Sequence, residues 1–357
     1  MEIPLVKGVA RGRRMFILSI ITIFMSRIKV GLNGFGRIGR AITRISEGNE
    51  LFEIVHINTR KTPNKTLAYL LKYDSVYRTF DKEVNAIEDG IEISGRTITA
   101  SICADPAQIP WGDAEVQVVI DATGAFVTQS DLSQHLRNTV KKVILTAPAK
   151  DNETFHVVLG VNELDRNEQV ISNASCTTNC AAPLFSVLHN NFKVIRGYLT
   201  TAHAYTATQS LLDDAAKSPN RGRAAALNII PSTTGAAKAV GIVIPELKGK
   251  MNGISLRVPV PTGSFVDITA VVEKETTPEE INSIFKKESE GALKGILGYA
   301  EDIIVSSDII GSSYSSIFDP NYTDVIDGTF VKIYGWYDNE WGYSCRVVDL
   351  VEKLQLA

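Results

Sequence analysis

The sequence has few cysteines for its length. Its 357 residues include only four, which are Cys103, Cys176, Cys180 and Cys345. This number does not suggest a disulfide framework in so long a chain, so we expect reduced thiols and a cytoplasmic location. The net charge of −3 gives no reason to expect the basic surface of a nucleic-acid-binding domain. No apolar run reaches the about 20 residues that a membrane-spanning helix requires. We therefore expect neither a nucleic acid nor a membrane as partner.

The N-terminal segment is the unusual part of the chain. Arg11, Arg13 and Arg14 precede an apolar run over 15–25. This order resembles a secretory signal, but no small-residue cleavage site follows it. We favour the interpretation that residues 1–26 are an extension from an upstream start assignment, with the functional protein beginning at Met25. A targeting peptide is the alternative.

Length and composition suggest two domains. The chain is too long for one small core, and its content of 44% hydrophobic and 22% charged residues is ordinary for a globular protein. No internal repeat interrupts it. Several predicted strands, including 28–32, 53–58, 116–121 and 142–146, alternate with helical segments at 37–47 and 64–72. This alternation predicts an α/β fold with a parallel sheet.

A glycine-rich turn follows the first predicted strand. Gly34, Gly36 and Gly39 have the G-x-G-x-x-G spacing of a dinucleotide site, between a strand and a helix. The first glycine allows a tight turn, the second lets a pyrophosphate approach the backbone, and the third permits close helix packing. The helix N-terminus then offers free N–H groups to the phosphates. Such turns also close ordinary βα units, so the motif alone is a moderate signal.

The residue that should contact the adenosine ribose is unusual. Dinucleotide sites that prefer NAD have an acidic residue about 20 positions after the last glycine. Here Thr59 stands at that place, followed by Arg60 and Lys61. Without a carboxylate nothing repels a 2′-phosphate, and two cations and a hydroxyl can bind it. We therefore favour NADP, or use of both NAD and NADP. The alternative is that the two cations belong to a solvated turn before Pro63.

Other strand ends point to the same crevice. Thr123 and Gly124 follow one predicted strand, and Thr146 ends another. Because open parallel sheets bind ligands at the carboxyl ends of their strands, these residues are candidates for the nicotinamide side. The stretch 85–100 alternates and has turn signals at Asp89 and Ser94, which suggests a hairpin.

Cys176 is the candidate nucleophile. It lies at the predicted N-terminus of a helix over 176–190, where the positive end of the helix dipole lowers a thiol pKa and backbone N–H groups stabilise an oxyanion. Cys180 lies one turn further on. A metal pair is a weak hypothesis because the other ligands of a structural zinc site are missing. We expect Cys180 to be buried packing and no metal to be bound.

His203 is the best-placed partner for this thiol among five histidines. It lies where a predicted strand runs into a loop, and an imidazole there can hold a thiolate and move a proton. Taken alone, a strand histidine is more often structural.

Six ordered segments resemble the phosphorylating glyceraldehyde-3-phosphate dehydrogenase family, from about Arg27 to the C-terminus and with nearly ungapped spacing. They are NGFGRIGR (33–40), LKYDS (71–75), SNASCTTNC (172–180), HAYT (203–206), STTGAAKAV (232–240) and WYDNEWGYS (336–344).

This resemblance implies roles for the matching residues. Cys176 is the implied nucleophile, with His203 as its base and oxyanion partner. The substrate phosphate is assigned to Thr206, Arg221 and Arg257, and the attacking inorganic phosphate to Ser175, Thr177, Thr234 and Gly235. Arg37 and Ile38 are implied contacts of the cofactor pyrophosphate, and Asn339 of the nicotinamide carboxamide. The alternative for Arg221 is a structural role at the surface, as a cap or an ion-pair partner.

The chain departs from the family pattern in three places. Thr59 replaces the usual acidic residue. Arg78 and Thr79 stand where the family often has Gly-Arg, so a cofactor-phosphate contact is expected to have moved to Arg78. The loop around 218–220 is altered; in the family it lies between subunits.

The resemblance implies an architecture and a reaction. We expect a Rossmann-type doubly wound domain over 27–174, an α+β catalytic domain over 175–343, and a C-terminal helix over 344–357 that returns to the first domain, in a homotetramer. The expected reaction is the reversible oxidative phosphorylation of D-glyceraldehyde 3-phosphate through a cysteine thioester. Oxidation of erythrose 4-phosphate and a non-enzymatic binding or regulatory role on the same fold are the alternatives.

Overall fold

The computed structural model describes residues 27–216, 218–354 and 356. The predicted extension over residues 1–26 lies outside them. Within the described residues, no helix combines the length and the apolar character needed to cross a membrane. Two sheets, each with its own helices, make up this part of the chain, and the first is the predicted Rossmann-type unit.

The first unit contains nine strands and three α-helices among the described residues. The strands are β1 (Ile28–Asn33), β2 (Phe52–Thr59), β3 (Val84–Ile87), β4 (Gly90–Ile93), β5 (Arg96–Ile102), β6 (Val118–Asp121), β7 (Lys142–Leu145), β8 (Phe155–His156) and β9 (Val170–Ser172). The helices are α1 (Arg37–Ser46), α2 (Asn64–Lys72) and α3 (Gln129–Ser133). The predicted boundaries agree with these to within a few residues.

The sheet order explains why the predicted ligand residues meet. The strands run β3-β4-β5-β2-β1-β6-β7-β9-β8. β1 pairs in parallel with both β2 and β6, and β6 pairs in parallel with β7. Their carboxyl ends therefore share one edge, with the glycine turn directly after β1.

The predicted hairpin over 85–100 proves to be a three-stranded meander. Its two turns separate three antiparallel strands, β3, β4 and β5. β5 continues to Ile102 and pairs in parallel with β2, which attaches the meander to the main sheet. The hairpin interpretation missed this long-range pairing.

The second unit is a mixed sheet covered by helices. Its strands are β10 (Val194–Ala204), β11 (Ile230–Thr233), β12 (Met251–Val258), β13 (Ser264–Val272), β14 (Leu297–Tyr299), β15 (Ser316–Ile326) and β16 (Phe330–Tyr337). The order is β11-β12-β10-β13-β16-β15-β14. Its helices are α4 (Cys176–Phe192), α5 (Ala236–Val243) and α6 (Pro278–Glu290).

The closing helix α7 (Trp341–Leu354) packs against the first unit. Its buried residues, Val347, Leu350 and Val351 among them, join the core of the first sheet. It begins three residues before the predicted Ser344, because the carboxylate of Asp338 accepts the N–H groups of Glu340 and Trp341 and so caps the helix there. Cys176 packs against the cores of both units, which places it at their junction.

Candidate active site

Cys176 is the first residue of α4, which begins directly after the short strand β9 and a tight turn. Ser175 caps the helix, because its Oγ accepts the backbone N–H of Thr178 at 3.0 Å. This cap leaves the N–H groups of Cys176 and Thr177 free to face the sulfur, and both lower the pKa of the thiol. Cys176 therefore lies at the N-terminus of a helix, the position that the sequence pattern predicted for it.

His203 lies beside this thiol. Its Nε2 is 3.5 Å from Sγ of Cys176, and its side chain is buried. The other ring nitrogen, Nδ1, contacts the carbonyl of Ala204 and Nη1 of Arg257, each at 2.7 Å. With the proton on Nδ1, donated to the carbonyl, Nε2 is free to accept the thiol proton. With the proton on Nε2, the ring donates toward a thiolate or an oxyanion. The geometry therefore allows His203 to act both as the base for the thiol and as a hydrogen-bond donor to a thiolate or an oxyanion.

The protonation of this pair differs from the sequence prediction. Burial raises the pKa of the Cys176 thiol, and the charge of Arg257 and the hydrogen bonds from Thr177 offset this only in part. Burial, together with the Arg257 charge, lowers the pKa of His203 to about 3. The sequence predicted a lowered thiol pKa at the helix N-terminus; the N–H groups there do lower it, but burial outweighs them and the net direction is upward. Both shifts favour the neutral forms of the thiol and the imidazole, so activation requires transfer of the proton from Sγ to Nε2.

The register of the second sheet brings Arg257 to this pair. β12 runs parallel to β10, and Arg257 is the register partner of His203. Nη1 of Arg257 donates to the Ala204 carbonyl at 3.0 Å, while Nε is buried without a hydrogen-bond partner in the described part of the chain. A buried cationic donor without a partner favours an anionic ligand.

A cavity of about 410 Å³ opens over the thiol and is called the thiol cavity here. It brings together many of the predicted site residues: Arg37, Ile38, Thr123, Gly124, Thr146, Ser175, Cys176, His203, Thr206, Arg257 and Asn339. A second cavity of about 590 Å³, the glycine-turn cavity, shares Ala122 and Thr123 with it. Gly34, Gly36, Thr59 and Arg60 line this second cavity.

Glycine suits each of the three positions in the turn for a different geometric reason. Gly34 has a φ of +96°, and a Cβ there would lie 2.8 Å from the backbone of Ala122. Gly36 faces open space, which lets a ligand approach the backbone. A Cβ at Gly39 would lie 2.3 Å from the carbonyl oxygen of Gly34, so this residue serves close packing of α1. The turn fits a dinucleotide pyrophosphate.

The side chain of Arg37 is held by two carboxylates. Its Nε and Nη2 donate to Glu340 at 2.9 and 2.6 Å, and Nη1 pairs with Asp74. Its backbone N–H at the start of α1, rather than the guanidinium, is therefore the group available to a pyrophosphate. The clamp also ties α1 to the segment before α7.

Thr59 is the last residue of β2, and its hydroxyl forms a hydrogen bond with the segment that directly follows. Its Oγ1 accepts the N–H of Thr62 at 3.2 Å. Among the described residues lining the glycine-turn cavity there is no carboxylate, and Arg60 is the charged one.

Arg221 lies outside the thiol cavity. It lines a larger cavity of about 1020 Å³ that shares Thr208 with the thiol cavity. Its Nε donates to Oγ of Ser232 at 2.7 Å, and its charge contributes to the lowered pKa of His203. It is thus close enough to act on the site electrostatically.

Two family models match the chain. The model described as glyceraldehyde 3-phosphate dehydrogenase, NAD binding domain, covers residues 28–129, and the model of the C-terminal domain covers 175–339. The chain belongs to the glyceraldehyde-3-phosphate dehydrogenase family. It is therefore an oxidoreductase with a nicotinamide-cofactor domain.

Curated relatives agree with this assignment. A glyceraldehyde-3-phosphate dehydrogenase of Borreliella burgdorferi is 53% identical, over 92% of this chain and 99% of that protein. Glyceraldehyde-3-phosphate dehydrogenase 2 of Streptomyces avermitilis is 52% identical, over 90% and 97%. A chloroplastic glyceraldehyde-3-phosphate dehydrogenase of Arabidopsis thaliana is 47% identical, over 92% and 79%.

Some residues expected from the family resemblance do not line these cavities. Thr177 is buried, with Oγ1 4.0 Å from Sγ of Cys176 and 3.0 Å from Oη of Tyr337. Thr234 and Gly235 precede α5, where Oγ1 of Thr234 accepts the N–H of Ala236. Arg78 lies in the left-handed region with a φ of 63°, and its carbonyl accepts from Arg44.

The structure adds residues that single positions in the sequence did not reveal. Glu340 and Tyr343 line the thiol cavity, and Asp74 completes the Arg37 clamp. All three lie inside the family segments 71–75 and 336–344, so the family resemblance is the sequence signal that could have identified them. Ser264, which bonds Asn339, lies in none of the six segments.

Proposed function

We propose that this chain catalyses the reversible oxidative phosphorylation of D-glyceraldehyde 3-phosphate. The observation that carries the proposal is the contact of 3.5 Å between Sγ of Cys176 and Nε2 of His203, in a cavity that Arg257 also lines. Nε of Arg257 is buried and has no hydrogen-bond partner among the described residues. A nucleophile, a base and an anion-binding group are the parts that a phosphorylated aldehyde requires.

His203 moves the proton in each half of the reaction. Nε2 accepts the thiol proton as Sγ of Cys176 bonds the aldehyde carbon, and the resulting oxyanion faces the imidazole and the first N–H groups of α4. A bound nicotinamide supplies the hydride acceptor, so that the hemithioacetal becomes a thioester. An oxygen of inorganic phosphate then attacks the thioester carbon. The C–S bond breaks, the acyl phosphate leaves, and Nε2 of His203 returns its proton to the Cys176 thiolate, while the proton of the attacking phosphate passes to solvent.

Two anion sites surround the thiol in this proposal. Thr206, Arg221 and Arg257 bind the phosphate of the aldehyde. Ser175, Thr177, Thr234 and Gly235 bind the attacking phosphate. Arg257 is the best supported of these groups, because its Nε has no partner among the described residues and its neighbour His203 touches the thiol.

The dinucleotide is proposed to lie across the glycine-turn cavity and the thiol cavity. The open space at Gly36 and the N-terminus of α1 suit the pyrophosphate, with Ile38 beside it. The nicotinamide end lies near Thr123, Gly124 and Thr146, and the Asn339 amide binds the carboxamide. These cavities share Ala122 and Thr123 in their lining, so they adjoin each other.

The test of the reaction compares substrates and a nucleophile variant. We expect kcat/KM to be higher for D-glyceraldehyde 3-phosphate than for erythrose 4-phosphate, and turnover to require inorganic phosphate. Cys176→Ser should lose the activity, whereas Cys345→Ser, at a cysteine of α7 that lines neither the thiol cavity nor the glycine-turn cavity, serves as the matched control. A higher kcat/KM for erythrose 4-phosphate would assign the chain to the tetrose substrate. Activity retained by Cys176→Ser would contradict the thioester mechanism.

We infer that the enzyme uses NADP, alone or together with NAD. The support is the carboxylate-free lining of the glycine-turn cavity, where Arg60 is exposed and Thr59 replaces an acidic residue. Arg60→Ala should weaken NADP binding more than NAD binding, and Arg78→Ala tests the second predicted contact in the same assay. A preference for NAD above about tenfold, equivalent to about 1.4 kcal/mol, would contradict this inference.

We propose a homotetramer in the cytoplasm. Large apolar side chains over 211–229 are strongly exposed in the isolated chain, with Leu211 81% and Leu227 80% accessible, which favours burial against another subunit. All four cysteines are free, which fits a reducing compartment. Light scattering of the purified protein should give four times the chain mass, and a monomer would contradict the assembly.

A further inference from the structure

Ser264 connects the catalytic histidine to the proposed nicotinamide site. It is fully buried at the start of β13. Its Oγ accepts the backbone N–H of Ala204 at 3.1 Å and donates to Oδ1 of Asn339 at 2.8 Å. Ala204 follows His203, and its carbonyl contacts Nδ1 of that ring. The Ser264 hydroxyl therefore links the strand segment that carries His203 to the side-chain amide of Asn339.

The direction of these two bonds is determined by chemistry. A backbone N–H only donates, so Oγ of Ser264 is the acceptor toward Ala204. Its own hydrogen is buried and needs an acceptor, which Oδ1 of Asn339 provides. If the Asn339 amide rotated by 180°, Nδ2 would face Ser264 and the hydroxyl hydrogen would lose its acceptor. The buried hydroxyl thus favours one amide orientation.

A second hydroxyl supports the same orientation more weakly. Oγ1 of Thr262 lies 3.3 Å from Oδ1 of Asn339, but its single hydrogen has a closer acceptor at 3.0 Å in the carboxylate of Asp338. Ser264 therefore has the larger effect. With Oδ1 occupied by these hydroxyls, the N–H groups of Asn339 are the part of the amide available to the thiol cavity that it lines.

We propose that Ser264 is a positioning residue that holds the Asn339 amide with its N–H groups toward the nicotinamide, where they recognise the carboxamide oxygen. This inference rests on the proposed function, since it concerns the cofactor site. The two ends of the dinucleotide are therefore expected to respond differently to a change at Ser264. Ser264 acts on the nicotinamide end of a dinucleotide and has no effect on the adenosine and pyrophosphate end.

The experiment measures the Kd of NAD and of ADP-ribose, which lacks the nicotinamide, by calorimetry without substrate. Ser264→Thr keeps the hydroxyl and Ser264→Val replaces it with a methyl group of the same shape, so both add the same bulk. We expect the Kd for NAD to be about 3- to 10-fold higher in Ser264→Val than in Ser264→Thr, as for a lost hydrogen bond. The Kd for ADP-ribose should be equal in the two variants.

Ser255→Ala is the matched control. Ser255 is a buried serine of β12 in the same sheet, and its Oγ has no hydrogen-bond partner within the described residues, so its removal should leave both Kd values unchanged. In an Asn339→Ala background, the difference between the Thr and Val variants should vanish. Equal weakening of NAD and ADP-ribose, or no weakening of either, would overturn the proposal. A wild-type protein that binds ADP-ribose and neither NAD nor NADP would instead contradict the proposed function, and with it the premise for Ser264.

Discussion

At the scale of single residues, the reactivity of Cys176 depends on where its proton can go. Burial raises the pKa of this thiol, and the acceptor within reach is Nε2 of His203 at 3.5 Å. A helix N-terminus can be recognised from sequence, but burial depends on the packing of both units around the sulfur. That is why the position of Cys176 at a helix N-terminus was predictable and the direction of its pKa shift was not.

His203→Gln should therefore slow the enzyme and make the thiol less reactive. Loss of the base should lower kcat by about 10²- to 10⁴-fold. The pH midpoint for alkylation of Cys176 by iodoacetamide should rise, because the thiol loses the imidazole that accepts its proton and can donate back to the thiolate. His189→Gln, at a buried histidine of α4 outside the cavity, should keep the wild-type midpoint. An unchanged midpoint in His203→Gln would show that the ring does not share the thiol proton.

Arg78 is a residue whose backbone conformation can be tested separately from its charge. Its φ of 63° lies in the left-handed region, which costs an L-residue roughly 1–2 kcal/mol. Arg78→Gly should therefore stabilise the fold by about 0.5–1 kcal/mol after the entropy of glycine in the unfolded chain is included. Urea unfolding provides the measurement. Thr79→Gly, without such a φ, should destabilise, and a loss of stability in both variants would contradict the strain argument.

At the scale of elements, hydrophobic pattern and turn residues predicted most segments of the first unit. The glycine turn, α1, α2 and the strands around them follow from signals within a few residues. The start of α7 was missed although its cap, Asp338, lies only two to three residues away, and the attachment of the meander was missed because β2 is far away in sequence. The Arg37 clamp is the clearest case, since its carboxylates lie 37 and 303 residues further along the chain.

Asp338 should be among the strongest stabilising groups at this level. Its buried carboxylate caps α7 and also accepts from Oη of Tyr77, Oγ1 of Thr262 and the N–H of Gly311. Asp338→Ala would leave these donors without a partner, and we expect a loss of about 2–4 kcal/mol in the free energy of unfolding. Asp302→Ala, at an exposed carboxylate, should change it by less than about 0.5 kcal/mol. Equal effects in the two variants would show that the Asp338 carboxylate contributes no more to the free energy of unfolding than a surface charge.

At the scale of the whole molecule, the buried histidines should make the protein sensitive to mild acid. Burial lowers the pKa of His56 to about 4 and that of His203 to about 3, and it also lowers the pKa of His156. In the unfolded chain each titrates near 6.5. Between about pH 6.5 and 4 the unfolded state therefore binds more protons, so stability falls as the pH is lowered through this range.

His56 allows this effect to be measured away from the active site. Its Nδ1 and Nε2 lie 2.7 Å from Oγ1 of Thr99 and 2.8 Å from Oγ of Ser101. A shift from 6.5 to about 4 corresponds to at most about 3 kcal/mol at acidic pH. His56→Gln cannot take up this proton, so its free energy of unfolding should fall less steeply between pH 6.5 and 4. From pH 7 to 9 the variant and the wild type should show parallel curves, whatever the offset from the lost ring packing. If the variant lost stability as steeply as the wild type below pH 6.5, the acid sensitivity would have to come from groups other than His56.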